Sequence, residues 1–314
     1  MLNKKNSDSL VSFLLLTYNQ EDYINKAIQG ALIQDYSNLE IIISDDCSSD
    51  DTFNRINQSL VGYVGKHTVF VNRCENNMGL IDHINFCITN LCKGEIIVMA
   101  AGDDLSSKNR VSKSVEIFNV YPNVYSVSLA YRHMDQNGSH LDSYSKKYSE
   151  RFGLQNFIEG LVFPILGCTR AYRKEVFTEF DSLSSNSGVE DSNFVFRALL
   201  LGDIIHRNEV AVYYRIGINS LSSKLDPELL YRILKQRLVD SKYALDSGII
   251  SLNDFQSISN RCSELKTKVS NIKLMINTKY RILGYFKFIL FRNEFHVNEK
   301  LNYLKNALKH DFRR

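Results

Sequence analysis

Several features that would indicate a membrane or secreted protein are missing from this sequence. No stretch approaches the roughly 18–20 uncharged apolar residues that a membrane-spanning helix requires. Residues 1–10 are too polar for a signal peptide, so we expect a cytoplasmic protein. No GxGxxG motif follows the first apolar segment, which excludes a nicotinamide-dependent dehydrogenase of the usual type.

Cysteine is sparse and unclustered. The six cysteines form neither a CxxC pair nor a group with histidine, so neither a zinc site nor a redox motif is expected. In a protein that stays in the cytoplasm, buried free thiols are the expected state. The cysteines are Cys47, Cys74, Cys87, Cys92, Cys168 and Cys262.

The composition is that of an ordinary globular protein, with 44% hydrophobic and 23% charged residues. A length of 314 residues accommodates one large domain with an appendage. The net charge of +3 conceals an uneven distribution, because residues 261–314 carry 13 Lys and Arg against 4 Asp and Glu. We therefore predict a main domain over residues 1–225 and a basic helical region over residues 226–314.

Short apolar segments alternate with segments of helical periodicity as far as residue 120. Strands are predicted where apolar runs end at polar turn residues, and helices where apolar residues recur three to four positions apart. This alternation predicts an α/β fold with a mixed, mainly parallel sheet flanked by helices. The predicted strands are 10–16, 39–43, 68–71 and 95–100, and the predicted helices are 22–33, 48–60, 80–91 and 109–120.

The pattern is looser after residue 123. A flexible run at 184–188 directly precedes the acidic pair Glu190-Asp191. His206 follows an apolar run and is interpreted as a packed surface histidine. The remaining predictions are strands at 124–131 and 211–216, a mobile loop at 139–150, a helix at about 170–180 and mostly helix after 227.

Polar clusters follow three of the predicted strands. They are Thr17-Tyr18-Asn19, Asp45-Asp46 and Asp103-Asp104. Because the carboxyl ends of parallel strands meet at one edge of a sheet, where ligands bind, these clusters are expected to share a crevice.

The two acidic clusters each have two interpretations. Adjacent carboxylates repel, so Asp103-Asp104 stays ionised most readily around a cation, and Mg²⁺ or Mn²⁺ shared with substrate phosphates is the natural choice. Asp45 could instead accept a hydrogen bond from a uracil or a ribose, with Tyr18 stacked on the base. The alternative for both clusters is a helix start, since Asp is a good N-cap residue.

Taken in order, these motifs resemble family 2 of the inverting glycosyltransferases. The resemblance covers about residues 10–223. In the first half it is carried by residues 11–19, by LEIIISDDCSSDD at 39–51, by Asn76-Asn77-Met78-Gly79 and by Ala101-Gly102-Asp103-Asp104. In the second half it is carried by residues 167–177, by Gly188-Val189-Glu190-Asp191 with Arg197, and by Tyr213-Tyr214-Arg215 with Ser220-Leu221-Ser222.

The resemblance implies a glycosyltransferase A type fold with a nucleotide half at about 1–105 and an acceptor half at about 106–225. It implies inverting transfer of one sugar from a nucleotide-sugar, with a UDP-sugar favoured. The implied acceptor is a glycan or polyprenyl-diphosphate-linked hydroxyl in bacterial O-antigen, capsule or other surface polysaccharide synthesis. By the same resemblance, Thr17, Tyr18, Asn19, Asp45 and less directly Asp46 would face the nucleoside, Asn77 and Gly79 would border the nucleotide, and Asp103 and Asp104 would hold Mn²⁺ or Mg²⁺.

The resemblance also implies that Asp191 is the general base and that Glu190 positions it or contacts the acceptor. The alternative for this pair is a helix N-terminus, where the helix dipole favours acidic residues. The chain departs from the family pattern at Ala101, where many members carry a further Asp, and near Gly217, where many carry a His. The QxxRW motif of processive members is absent, so a single transfer is expected.

The basic region contains an unusual segment, residues 281–295, in which aromatic residues alternate with Arg281, Lys287 and Arg292. Such a segment suits a helix lying on a membrane surface, and we predict contact through residues 281–314. The alternative is a helical hairpin packed on the main domain or on another subunit of a homo-oligomer. No nucleic-acid-binding motif is present, so nucleic acid is not an expected partner.

Two other functions stay open on the sequence. A sugar nucleotidyltransferase has a related fold but normally begins with a Gly-rich, basic loop, where this chain has Thr17-Tyr18-Asn19-Gln20. A non-catalytic nucleotide-sugar-binding protein of the same fold would have no need of Asp103, Asp104 and Asp191.

Overall fold

The backbone of this chain forms two compact units. The computed structural model describes residues 9–144, 149–161, 166–216 and 227–276. Within these ranges, one unit comprises residues 9–154 and 166–216, and the other comprises 155–161 and 227–276. The segment for which membrane contact is predicted, 281–314, lies outside the described residues. Among the helices that are described, none has the length and hydropathy to cross a bilayer.

The first unit is built around a mixed β-sheet. In the described part of the chain its strands are β1 (Val11–Thr17), β2 (Leu39–Asp45), β3 (Thr68–Arg73), β4 (Ile96–Ala101), β5 (Leu105–Ser106), β6 (Val124–Met134), β7 (His140–Tyr144), β8 (Glu150–Phe152), β9 (Arg170–Arg173) and β10 (Asp203–Arg215). Its helices in the described chain are α1 (Ile24–Leu32), α2 (Thr52–Leu60), α3 (Leu80–Asn90), α4 (Arg110–Val120), α6 (Glu175–Thr178) and α7 (Glu190–Leu201). The described helices of the second unit are α5 (Leu154–Ile158), which begins at the last residue of the first unit's segment, α8 (Pro227–Asp246) and α9 (Leu252–Ile276).

The order of the strands creates a crevice beside β1. The first four long strands are parallel neighbours in the order β3-β2-β1-β4, so the chain order reverses on the two sides of β1. Ligands of α/β proteins bind at such switch points, outside the carboxyl ends of the strands. Beyond β4, the sheet continues as β9-β6-β10-β5, with β9 antiparallel to both of its neighbours.

The helices cover the sheet and bury its apolar strands. Every residue of β1 and β2 is buried, which explains why both read as continuous apolar runs in the sequence. The main core includes Phe13, Ile28, Ile41, Val98 and Phe118, which come from two helices and three strands. This mixed, mainly parallel sheet with flanking helices and a helical C-terminal region confirms the predicted fold class.

Three predictions of local structure are wrong in whole or in part. The expected helix at 170–180 is present only as α6, because residues 170–173 form the strand β9, which pairs with β4 on one side and β6 on the other. The expected loop at 139–150 contains β7, which pairs with the end of β6. His206 is buried inside β10, not on the surface, and its Nδ1 lies 2.9 Å from the Ser128 hydroxyl.

One buried amide ties α1 to the start of α4. The Gln34 side chain is fully buried, and its Nε2 donates to the carbonyls of Gly30 at 2.7 Å and Ser107 at 2.8 Å. Its Oε1 accepts the Val111 N–H at 3.0 Å. The amide therefore satisfies backbone groups of two segments that are separate in sequence.

We expect Gln34→Leu, which keeps the volume but removes these hydrogen bonds, to destabilise the first unit by about 1–3 kcal/mol, because buried backbone groups lose their partners. Urea unfolding followed by far-ultraviolet circular dichroism would measure the change. Gln58→Leu on the exposed side of α2 is the matched control and should shift stability by no more than about 0.5 kcal/mol. Equal effects of the two substitutions would contradict the role given to Gln34.

Candidate active site

The polar clusters predicted at the strand ends lie along one edge of the sheet. Thr17, Asp45 and Arg73 stand side by side in register at the ends of β1, β2 and β3. On the other side of β1, Leu16 pairs with Ala101 at the end of β4. The acidic pair Asp103-Asp104 follows two residues later and so lies across the switch point from Asp45.

The loop after β1 is fastened to the loop after β2. Asn19 adopts a φ of 53°, in the left-handed region that asparagine tolerates. Its backbone N–H donates to Ser48 Oγ at 2.8 Å, and its Oδ1 accepts the Ser49 N–H at 2.8 Å. Tyr18, the residue before Asn19, is 47% exposed, which leaves its ring accessible to a ligand at this edge of the sheet.

Asp45 is fully buried, and the protein satisfies its carboxylate. Oδ2 accepts the Ser48 N–H at 3.0 Å, and the Ser48 hydroxyl donates to Oδ1. Arg73 Nε lies 3.5 Å from the same carboxylate and so neutralises its charge. The carboxylate of Asp45 therefore shapes the loop after β2, and direct contact with a nucleoside stays a prediction.

Asp46 holds the loop that precedes α3. Its Oδ1 accepts the Met78 N–H at 2.8 Å and its Oδ2 accepts the Gly79 N–H at 2.9 Å. Asn77 Nδ2 donates to the carbonyl of Asp46 at 3.1 Å, and Gly79 has a φ of 78°, which a side chain would strain. Asp46, Asn77 and Gly79 are thus one hydrogen-bonded unit, and their predicted contact with the nucleotide would involve this loop.

Asp104 is buried with one of its oxygens unsatisfied. Oδ1 accepts the Arg215 N–H at 2.9 Å, whereas Oδ2 receives no N–H or O–H hydrogen bond from any described residue. Burial, together with the charge of Asp103, raises the pKa of Asp104 to about 7. Burial also raises the pKa of Asp103. Both carboxylates therefore gain from a neutralising partner, which can be a proton or a cation.

The surroundings of this pair fit a hard divalent cation. Within the described chain, Thr17 Oγ1 and Gln20 Oε1 are also buried without a hydrogen-bond partner, and the Gln20 side chain hydrogen-bonds Asp103. Gly102 lies against both, and a Cβ on it would lie 2.3 Å from Gln20 Oε1. Carboxylate and neutral oxygens are the ligands that Mg²⁺ and Mn²⁺ prefer.

Two buried arginines that were not singled out from the sequence hold this region together. Arg215 Nε donates to the carbonyl of Asp103 at 2.9 Å, and its Nη1 donates to the carbonyls of Asp135 and Gln136, both at 2.8 Å. Arg110 Nη2 donates to the carbonyl of Cys168 at 2.7 Å. Arg215 belongs to the family-like segment Tyr213-Tyr214-Arg215, so the sequence did carry a signal for it, whereas Arg110 reads as an ordinary helix residue.

Glu190 and Asp191 occupy the first turn of α7, where the helix dipole favours acidic residues. Burial raises the pKa of both side chains, and the charge of Asp191 raises the pKa of Glu190 further. The Gly167 N–H, which donates to Asp191 Oδ2 at 2.8 Å, opposes the increase for Asp191. A hydrogen bond between the two side chains adds to the increase in the pKa of Glu190 and opposes the increase in the pKa of Asp191.

A single turn joins the two acidic groups. The 3₁₀ turn Gly167–Thr169 contributes the N–H that binds Asp191. Its next residue, Cys168, places a thiol beside Asp104, and burial together with the charge of Asp104 raises the pKa of that thiol. Asp104 and Asp191 therefore both lie against this one turn, although they are far apart in sequence.

The family follows from a direct comparison of the chain. Residues 12–180, more than half of the 314, match the family described as Glycosyl transferase family 2. The chain therefore belongs to glycosyltransferase family 2. This membership identifies it as a glycosyltransferase and removes the nucleotidyltransferase alternative.

Named relatives agree with this assignment. The chain is 24% identical to the UDP-Glc:alpha-D-GlcNAc-diphosphoundecaprenol beta-1,3-glucosyltransferase WfaP of Escherichia coli over 90% of this chain and 93% of that protein. It is 28% identical to an uncharacterized glycosyltransferase of Rickettsia typhi over 68% of this chain and 66% of that protein.

Solved structures share the fold. S. aureus TarS 1-349 in complex with UDP-GlcNAc superposes with a TM-score of 0.65 and 19% identity, covering 89% of this chain and 80% of that one. The mannosyltransferase PcManGT from Pyrobaculum calidifontis, in complex with GDP-Man and Mn2+, gives a TM-score of 0.56 and 14% identity, covering 97% of this chain and 87% of that one.

We expect Gly167→Ala to lower sugar transfer or donor hydrolysis by about 100-fold, because its Cβ would lie 1.7 Å from Asp191 Oδ1 and force the carboxylate to rotate away. Gly153→Ala is the matched control, since its Cβ would also approach a carboxylate, that of Asp203 at 2.8 Å, away from this site. Both variants should unfold near the wild-type temperature. Full activity of Gly167→Ala would show that the position of Asp191 is not critical.

Proposed function

We propose that this glycosyltransferase moves one sugar, with inversion, from a UDP-sugar to a hydroxyl of a glycan on a polyprenyl-diphosphate carrier. The observation that carries the proposal is that one turn, Gly167–Thr169, contacts both Asp191 and Asp104, whose buried Oδ2 receives no N–H or O–H hydrogen bond from the described residues. The choice of UDP and of a lipid-linked acceptor is supported by the name of WfaP, a bacterial relative that covers most of this chain. Synthesis of a bacterial surface polysaccharide is the process in which such a transfer would occur.

On the donor side, Thr17, Tyr18 and Asn19 would hold the nucleoside against the loop that Asp45 shapes. The loop of Asn77 and Gly79, held by Asp46, would border the rest of the nucleotide. Asp103 and Asp104 would bind Mn²⁺ or Mg²⁺, which would offset the charge of the departing diphosphate. Arg215 keeps the backbone of this acidic pair in place through its bond to the carbonyl of Asp103.

On the acceptor side, Asp191 would take the proton of the attacking hydroxyl. Burial raises its pKa, which makes it a stronger base than an exposed aspartate, and the hydrogen bond with Glu190 opposes that increase. The Gly167 N–H fixes the orientation of its carboxylate through Oδ2. An in-line displacement needs the base and the leaving group on opposite sides of the anomeric carbon, so the acceptor and the sugar would lie between Asp191 and the diphosphate.

Residues 281–314 would bring the enzyme to the lipid-linked acceptor by contact with the cytoplasmic face of the membrane. This contact is supported by the basic and aromatic composition of the segment and stays a prediction, as does a homo-oligomer.

The donor can be identified by calorimetric titration of the full chain with UDP-, GDP- and dTDP-sugars, each with and without Mn²⁺. We expect one UDP-sugar to bind in the presence of Mn²⁺ and to be hydrolysed slowly without acceptor. Asp103→Asn should weaken this Mn²⁺-dependent binding at least tenfold, because it removes a charged ligand. Binding of every donor without any effect of metal would contradict the role given to Asp103 and Asp104.

The base can be tested by a pair of isosteric substitutions. Asp191→Asn removes the proton acceptor and should lower kcat by about 10²–10⁴-fold, with donor affinity unchanged. Glu190→Gln keeps a hydrogen-bond donor toward Asp191 and should lower kcat by less than about tenfold. The proposal fails if Asp191→Asn turns over at the wild-type rate, or if Glu190→Gln proves the more damaging change.

A further inference from the structure

A second group of metal-binding side chains lies beneath the loop that Asp46 supports. Asp46 follows β2, Cys74 follows β3 and His83 lies on α3. Each offers one ligand atom, and the three atoms lie within 4.8 Å of one another. All three residues are buried, with exposed fractions of 3%, 9% and 2%. Neither Cys74 nor His83 has a part in the function proposed above.

Hydrogen bonds already orient all three side chains. His83 Nε2 lies 2.7 Å from Ser44 Oγ, and Asn72 Nδ2 donates to that same hydroxyl oxygen at 2.9 Å. Asn72 Nδ2 also lies 3.8 Å from Cys74 Sγ. The carboxylate of Asp46 is held by two backbone N–H groups. In metal sites, such outer partners fix the rings and carboxylates that bind the ion, and here they are present around every ligand.

The chemistry of the three side chains selects the ion. A thiolate, an imidazole and a carboxylate are the ligands of Zn²⁺ and similar borderline-soft cations, whereas Mg²⁺ and Mn²⁺ favour oxygen alone. We propose that Asp46, Cys74 and His83 bind one Zn²⁺-class cation, with the fourth position open to water. The sequence shows no cluster of Cys and His at this site, because its three ligands come from three separate elements.

Binding at this site would act on the loop of Met78 and Gly79. Each oxygen of the Asp46 carboxylate accepts one N–H group of that loop, so the oxygen that binds the cation is also a hydrogen-bond acceptor. A bound cation would withdraw electron density from the carboxylate and weaken both hydrogen bonds. The consequence for the nucleotide rests on the proposed function, whereas the binding of the cation does not.

The site can be tested with Co²⁺, which takes the place of Zn²⁺ and reports its ligands by absorption. The untagged full chain, stripped of metal by a chelator and kept reduced with a phosphine, is titrated with Co²⁺. We expect one thiolate-bound Co²⁺ per chain, seen as a thiolate-to-cobalt charge-transfer band in the near ultraviolet that saturates at one equivalent. Zn²⁺ should displace this Co²⁺, and excess Mg²⁺ should not. A chain that gives no such band at saturating Co²⁺ would overturn the proposal.

Four variants locate the ion. Cys74→Ser should abolish the charge-transfer band, and His83→Gln should weaken Co²⁺ binding at least tenfold. The matched controls, Cys262→Ser and His67→Gln, remove a buried residue of the same type elsewhere and should bind Co²⁺ as the wild type does. A band that persists in Cys74→Ser, or that is lost equally in the controls, would refute this site. Circular dichroism verifies folding, and if one ligand variant does not fold, the other decides.

The inference and the proposed function fail in different ways. Loss of Co²⁺ binding in Cys74→Ser with normal Mn²⁺-dependent donor binding supports the site whatever the donor is. Conversely, a chain that binds no nucleotide-sugar can still give the cobalt band.

Discussion

A carboxylate that is buried at the edge of a sheet must be neutralised or hydrogen-bonded, since an unpaired buried charge costs several kcal/mol. This requirement determines the contacts of each buried acidic residue in the candidate active site of this enzyme. Asp45 meets it with Ser48 and an arginine, and Asp46 meets it with two backbone N–H groups. Among the described residues, Asp104 receives an N–H hydrogen bond on only one oxygen. Asp191 meets it with one N–H and with a hydrogen bond to Glu190.

The number of hydrogen bonds that a carboxylate accepts distinguishes carboxylates that fix the shape of a loop from carboxylates that can take part in a reaction. A fully bonded carboxylate such as Asp46 is rigid and fixes the shape of a loop, but it has little to offer a reaction. A carboxylate with an unsatisfied oxygen or a raised pKa gains free energy when a cation or a proton arrives. Among the acids that follow β2 and β4, this criterion favours Asp103 and Asp104 for a chemical role, whereas Asp45 and Asp46 hold the loops after the neighbouring strands.

Strands β1, β2 and β4 could be predicted because they are buried and read as nearly unbroken apolar runs. The same reasoning placed the polar clusters at one edge. The antiparallel strand β9 could not be predicted, since Arg170 and Arg173 flank its short apolar centre and only pairing with two neighbours makes it a strand. The unsatisfied oxygen of Asp104 and the turn that contacts both Asp104 and Asp191 depend on tertiary contacts, which the hydrophobic periodicity of a sequence does not predict.

The two metal sites that we infer differ in what drives them. At Asp104 the described residues leave a buried oxygen without an N–H or O–H partner, so a cation removes a cost that the folded chain otherwise bears. At Asp46 the carboxylate is already satisfied, so a cation there would be drawn by Cys74 and His83 and would compete with existing hydrogen bonds. The first site therefore suits an ion that is needed for each turnover. The second suits an ion that comes and goes with its concentration, and whose arrival is felt by the loop that Asp46 holds.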